Sequence, residues 1–226
     1  MKYTTLDNRL LCVASLVPKG ARMVDVGSDH AYLPVYLVQQ GIVTEALATD
    51  VNEGPIQRAK MNIQKAGLSA QIDARKCDGL DGIESFAPDT VTICGMGGEL
   101  IVSILENSAY VLKNAPLLIL QPMTQAAVLR RYLAEKGYAI EAERLLPDEH
   151  RVYQVIACRY VGAPASSLSA LWELVGQGNK ESPHLPLLLA KIKKQYSDIV
   201  KGKQSAGQDT AWEEALLKEV EEYETR

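Results

Sequence analysis

Three short stretches carry the residues most capable of chemistry. "VDVGSDHAYLP" (24–34) ends an apolar run on Asp25 and follows it with Gly27, Asp29 and His30; Asp50 closes "EALATDV" (45–51), and Asp78 sits in "RKCDGL" (75–80). A pyrophosphate lying on a helix N-terminus needs close backbone approach, which is why dinucleotide sites read G-x-G-x-x-G. Here the aligned positions are Gly27, Asp29 and Tyr32, so two glycines are missing and one is replaced by a carboxylate. Beside a diphosphate that carboxylate would cost on the order of 4 kcal/mol at about 4 Å and an effective dielectric near 20. No G-x-x-x-x-G-K-[ST] occurs to make a P-loop.

S-adenosylmethionine makes the opposite demands. It has no phosphate, carries a sulfonium and an ammonium, and offers two ribose hydroxyls and an adenine amine. Asp50, 21 residues after Asp29, stands where an acidic side chain accepts from both ribose hydroxyls. Asp78 is placed to accept from the adenine amine, and hydrogen bonds to such charged acceptors are worth roughly 1.5–3 kcal/mol each. "CGMGG" (94–98) sets glycines around Met96, where backbone can approach a flat ligand. The candidate cofactor contacts are Asp25, Gly27, Ser28, Asp29, His30, Asp50, Val51, Asp78, Gly79 and Gly95.

These residues need strand ends to hold them, and the pattern supplies them. Up to about residue 160, strand-like runs ("RMVDV", "EALATDV", "SAQIDARKC", "DTVTICG", "APLLILQP") alternate with helical ones ("LDNRLLCVASLV", "YLPVYLVQQG", "GPIQRAKMNIQKAG", "GGELIVSILENSAYVL", "TQAAVLRRYLAEKG"). Apolar strands separated by helices predict an α/β fold, a mostly parallel sheet covered on both faces. Two β-like runs, "YAIEAERLL" and "RVYQVIACRYV", predict an antiparallel C-terminal edge. Such folds bind ligands at the carboxyl edge of the strands, and the three acidic strand ends converge there. After the small-residue linker "VGAPASS" no strand signal remains. Leu185, Leu189, Ile192, Tyr196 and Ile199 form a heptad-like seam, and Trp212, Leu216, Val220 and Tyr223 line a last helix. The expected division is 1–160, a Rossmann-like binding and catalytic domain, and 161–226, a coiled-coil-like helical hairpin led by a helix over "SLSALWELVG".

With those residues in view, the chain resembles the bacterial tRNA adenine-N1 methyltransferases that modify position 22 in the D-loop. The resemblance runs through "LDNRLLCVASLVPKGARMVDVGSDHAYLP", "GPIQRAKMNI", "RKCDGL", "ICGMGGELI", "LILQPM" and "RVYQVI" and covers the first 160 residues. It implies a class I methyltransferase fold, S-adenosylmethionine as donor with S-adenosylhomocysteine as product, no metal, and a helical C-terminal domain that assists tRNA binding. Asp50 stands where the family pattern leads us to expect Glu, and Met123 where Asn is commoner. Adenine N1 carries its own lone pair, so a general base is optional, and the Asn/Asp-Pro-Pro-aromatic motif of amine methylators is missing after the fourth strand. On this reading the target base is clamped near Met96, Gly97 and Gly98 and against Tyr32, Gln121 and Pro122 contact its edge, and Arg9 pairs with the methionine carboxylate.

The 226 residues carry a net charge of −4, which mildly disfavours non-specific nucleic-acid binding, so any RNA must meet a local basic patch. Lys191, Lys193, Lys194, Lys201 and Lys203 cluster on one C-terminal helix and its turn, with Arg130 and Arg131 as candidate helpers from the first domain. Cys12, Cys77, Cys94 and Cys158 lie far apart with no C-x-x-C spacing, which reads as buried, reduced thiols rather than a disulfide or zinc site. No apolar run approaches a membrane span and no signal-peptide pattern is seen, so a cytoplasmic protein without membrane association is expected, a monomer or weak dimer. Two other readings stay open: a methyltransferase of a small molecule or protein, and a non-catalytic RNA-binding module on the same fold.

Overall fold

The computed structural model describes residues 4–149, 151–165 and 168–225; Ser166 and Ser167 of the expected linker lie outside that set. Seven strands form one sheet: β1 (Ala21–Val26), β2 (Val43–Asp50), β3 (Ile72–Lys76), β4 (Thr90–Gly97), β5 (Leu117–Thr124), β6 (Tyr138–Asp148) and β7 (Arg151–Tyr160). Their order is β3-β2-β1-β4-β5-β7-β6, and β1 to β5 run parallel. The C-terminal strand β7 is antiparallel, as expected. It takes the place beside β5, which leaves β6 outermost.

Helices α1 (Asn8–Ala14), α2 (Tyr32–Gln39) and α3 (Glu53–Ala66) cover one face; α4 (Gly98–Glu106), α5 (Ala109–Asn114) and α6 (Ala126–Lys136) cover the other. Side chains of a strand alternate between faces, so Met23 and Ile119 join the first apolar cluster while Val24, Leu118 and Leu120 join the second. A sheet buried on both sides therefore reads as unbroken apolar runs. The stretch "GGELIVSILENSAYVL", expected as one helix, breaks in two. Asn107 ends α4, and the Ser108 hydroxyl accepts from the Val111 N–H to cap α5.

After β7 come α7 (Ala170–Val175), α8 (Leu185–Ser205) and α9 (Ala211–Glu224). Leu185, Leu188, Leu189 and Ile192 of α8 close on Leu216 and Val220 of α9 and on Leu171 and Val175 of α7. The floor of this third cluster is Leu145 of β6, with Val152 of β7 packed against it. The helical arm thus shares its core with the hairpin of the sheet.

Candidate functional site

The turn from β1 to α2 bends through three left-handed residues, Gly27 (φ 69°), Asp29 (φ 43°) and Ala31 (φ 56°). Only the first is glycine, and a Cβ there would collide with Met96 Cε. Asp25 lies beneath this turn rather than in the open crevice. It is buried, and its two carboxylate oxygens accept from Ser28 Oγ and Thr92 Oγ1, each at 2.6 Å. Burial pushes its pKa up to about 6, against the lowering effect of those hydrogen bonds and of Arg9. Asp25 and Ser28 therefore buttress the turn.

Asp29 was expected to present free negative charge. Instead Arg58 of α3 reaches it at 2.6 Å and His30 Nε2 at 3.2 Å. The repulsion argued above against a diphosphate is compensated in the folded chain by Arg58. Asn62, one helical turn beyond Arg58, donates to the His30 carbonyl at 3.0 Å. Neither residue was anticipated. Their i, i+4 spacing on the face beside buried Ala59 and Ile63 was the available signal, since polar groups there must meet a partner.

At the next two strand ends the carboxylates are accessible. Asp50 Oδ1 accepts from the Asn52 N–H at 2.9 Å, while its second oxygen and the whole Asp78 carboxylate have no hydrogen-bond partner among the described residues. The Asp50 carbonyl holds Cys77 N at 3.0 Å, so the two acidic positions stay side by side. Val51 is exposed next to them, and Gly79 turns the chain at φ 56° with Ile104 against it.

The fourth strand reaches the same edge through a bulge. Cys94 pairs with Gln121 and Met96 with Pro122, which leaves Gly95 unmatched at φ 78°. A bulge costs a ladder hydrogen bond and re-aims the residue after it. Here Gln121 Oε1 accepts the stranded Gly95 N–H at 3.1 Å and Arg9 Nη1 at 2.8 Å. This corrects one expectation. Gln121 is fully buried and its amide nitrogen turns to the Pro122 carbonyl, so it holds the bulge instead of meeting a base edge. Arg9 donates from Nη1 to Gln121 and holds Nη2 3.5 Å from Asp7, so its guanidinium stands beside the bulge with N–H donors to spare.

Gly98 opens α4 against the start of α6, and any Cβ would strike the Gln125 carbonyl. Close helix approach explains this glycine without a ligand. Pro122 is buried, whereas Met96 and Gly97 are half-buried. Tyr32 is 47% exposed and stacks on His30 with centroids 5.1 Å apart, so one aromatic face borders the turn.

The basic residues separate into groups. Arg130 is wholly buried: it meets Glu143 at 2.7 Å, Gln154 at 2.6 Å and the Glu173 carbonyl at 3.0 Å. It cannot touch a phosphate. Arg131 forms a two-pronged pair with Glu173, Lys193 pairs with Glu221 and Glu224, and Lys203 with Glu213. Lys194 and Lys201 are exposed and make no ion pair among the described residues, and Lys191 is exposed beside the sheet's carboxyl edge. Of the cysteines only Cys158 is fully buried; all four are free thiols, and burial raises the Cys94 pKa well above its ordinary value.

What the crevice offers is consistent: glycine turns at the ends of β1, β3 and β4, and two acceptor carboxylates. Arg58, which faces the first turn, is tied to Asp29, and Arg9, near Asp25, is bonded to Gln121. Accessible carboxylate acceptors suit the hydroxyls and amine of an adenosine.

Residues 6–156 match the family model described as "Methyltransferase domain", and with the sheet order this makes the fold that of a class I, Rossmann-like methyltransferase. A Bacillus subtilis protein named tRNA (adenine(22)-N(1))-methyltransferase is 40% identical over 156 residues, 69% of this chain and 66% of that one. The solved structure of the B. subtilis m1A22 tRNA methyltransferase TrmK superposes with a TM-score of 0.82 at 32% identity, over 97% of this chain and 95% of that one. M. capricolum TrmK, solved with its cofactor product S-adenosylhomocysteine, matches at TM-score 0.82 and 27% identity over 96% of this chain and 97% of that one. The chain belongs to the tRNA (adenine(22)-N(1))-methyltransferase family.

Proposed function

We infer that this protein transfers a methyl group from S-adenosylmethionine to N1 of adenine 22 in the D-loop of tRNA. The observation that carries the reading is the convergence of the Gly27 turn, the Asp50 and Asp78 carboxylates and the Gly95–Gly98 segment on one carboxyl edge. Full-length similarity to TrmK structures supports the same substrate.

Asp50 would hold the ribose and Asp78 the adenine amine of the cofactor, and the Gly27 turn would let backbone approach between them. When bound, S-adenosylmethionine supplies a methyl on a sulfonium, open to attack in line with the S–CH₃ bond. The chain's share is positioning. The Gln121–Gly95 bond fixes the bulge, the bulge sets Met96 over Gly27, and Gly98 seats α4. Because neutral adenine N1 already presents a lone pair, no residue needs to take a proton first. N1 lies on the pairing edge of the base, so the adenine must leave its stack to be reached. Tyr32, exposed beside the turn, offers it a face, worth about 1–3 kcal/mol.

Division of labour is part of the proposal: residues 1–160 bind cofactor and base, and residues 161–226 assist with tRNA in a cytoplasmic, monomeric or weakly dimeric enzyme. No described helix is long and apolar enough to cross a membrane. Incubation with labelled donor and unmodified tRNA, followed by nucleoside mapping, tests it. The expected product is 1-methyladenosine at position 22. Transfer only to protein or a metabolite, or none to RNA, would refute the reading.

A further inference from the structure

The β5–β7 ladder holds only at Leu118–Cys158, Ile119–Ala157 and Leu120–Ile156. Beyond it the two strands part, although each continues, β5 to Thr124 and β7 back to Arg151. The opening is a groove of about 540 Å³ whose far wall is α8. Small-molecule clefts run to about 300–1,000 Å³, so the groove has room for a ligand of that size.

Three features of this groove select its occupant. It is continuous with the candidate site, because Pro122 and Thr124 on its lip pair with Met96 and Gly97. Although Tyr153 also borders the adjoining hollow with Asp7 and Asp148, the groove's walls carry Arg151 and Lys191 and, among the described residues, no carboxylate. In a chain with 28 acidic and 24 basic residues, that is a locally inverted balance. Its flanks also carry aromatic rings, Tyr153 from β7 and Tyr196 from α8. Cations interleaved with rings are what unpaired RNA requires: charge along the backbone and faces for bases.

We propose that this groove binds the single-stranded nucleotides flanking the methylated adenine, with Arg151 on a phosphate and Tyr153 beneath a base. The inference rests on the tRNA reading above and extends it to residues outside the lysine cluster. Arg151 is exposed and makes no ion pair among the described residues, so it reaches a phosphate without breaking a native contact. The parted strands let RNA run from the base site onto the helical arm.

The test measures the Kd of fluorescein-labelled tRNA by anisotropy across a salt series, in parallel with nucleoside mapping of the unmodified enzyme. Arg151→Glu should weaken tRNA binding about tenfold and lower the slope of log K against log salt by about one. Tyr153→Leu should weaken it at least fivefold and Tyr153→Phe should leave it unchanged. S-adenosylmethionine affinity should be the same in all of them. Lys218→Glu, at an exposed position of α9 that does not line the groove, controls for net charge and should bind like the parent. Parental affinity in both Arg151→Glu and Tyr153→Leu, or losses no larger than in Lys218→Glu, overturns the groove. Because the readout is binding, a groove effect with no methylated adenine would refute the proposed reaction and leave the groove standing.

Discussion

Asp25 illustrates how one buried side chain ties the binding turn to pH. Its carboxyl sits near 6 in the folded chain, against 3.8 as the ordinary value, because burial outweighs its two hydroxyl partners and Arg9. A folded-state pKa above the unfolded one favours folding fully below about pH 4; that contribution is lost as pH rises towards 6 and is absent above it. The loss is roughly 3 kcal/mol. Asp25→Asn keeps the shape without the titration. In urea melts at pH 4 and pH 7, the stability of this variant relative to the parent should therefore rise by about that amount. A pH-independent difference would mean the carboxylate is solvated in the folded state. The same residue shows what sequence could convey. The acidic strand end was legible, but its direction was not, since Thr92, the partner that turns it inward, looks like any other residue of an apolar strand.

At the scale of elements, the contact between α4 and α6 is set by a missing side chain. Gly98 lets the start of α4 lie on the Gln125 carbonyl, and Gln125 Nε2 reaches back to Glu99 at 2.8 Å. Gly98→Ala forces the two helices apart, an overpacking cost of about 1–3 kcal/mol. In a thermal melt this should lower Tm by about 5 °C, and it should slow methylation because Met96 and Gly97 lead into α4. An unchanged Tm would show that α6 yields freely. The strands and most helices were readable because apolar runs buried on both faces leave a strong pattern. The bulge at Gly95 was not, since it arises from a mismatch between two strands and appears in neither alone. Nor was the burial of Gln121: a polar residue at a strand end reads equally as a ligand contact or as the partner of a stranded N–H. The helix break at Asn107–Ser108 was visible in residue type, yet the apolar period ran through it.

For the whole molecule, Arg130 is the fastening between sheet and arm. One guanidinium joins α6 to Glu143 of β6, Gln154 of β7 and the carbonyls closing α7, while Glu143 also accepts the Gly178 N–H at 2.8 Å. Removing one partner of a buried pair strands the other charge, at about 3–5 kcal/mol. Arg130→Met should show that loss in urea denaturation, and adding Glu143→Leu should recover part of it. Equal stability of Arg130→Met and the parent would show that the pair is not buried in solution. A basic residue on a helix reads from sequence as surface charge, whereas Arg130 is buried by partners that arrive from three distant segments.

The shared floor of Leu145 and Val152 bears on how this chain can be cut. Ending it near residue 160 would not release a self-sufficient enzyme, because the β-hairpin would then expose to water an apolar surface that three helices now shelter. Grafting the last 60 or so residues onto another sheet would likewise supply half an interface. Sheet and arm must therefore be engineered as one piece.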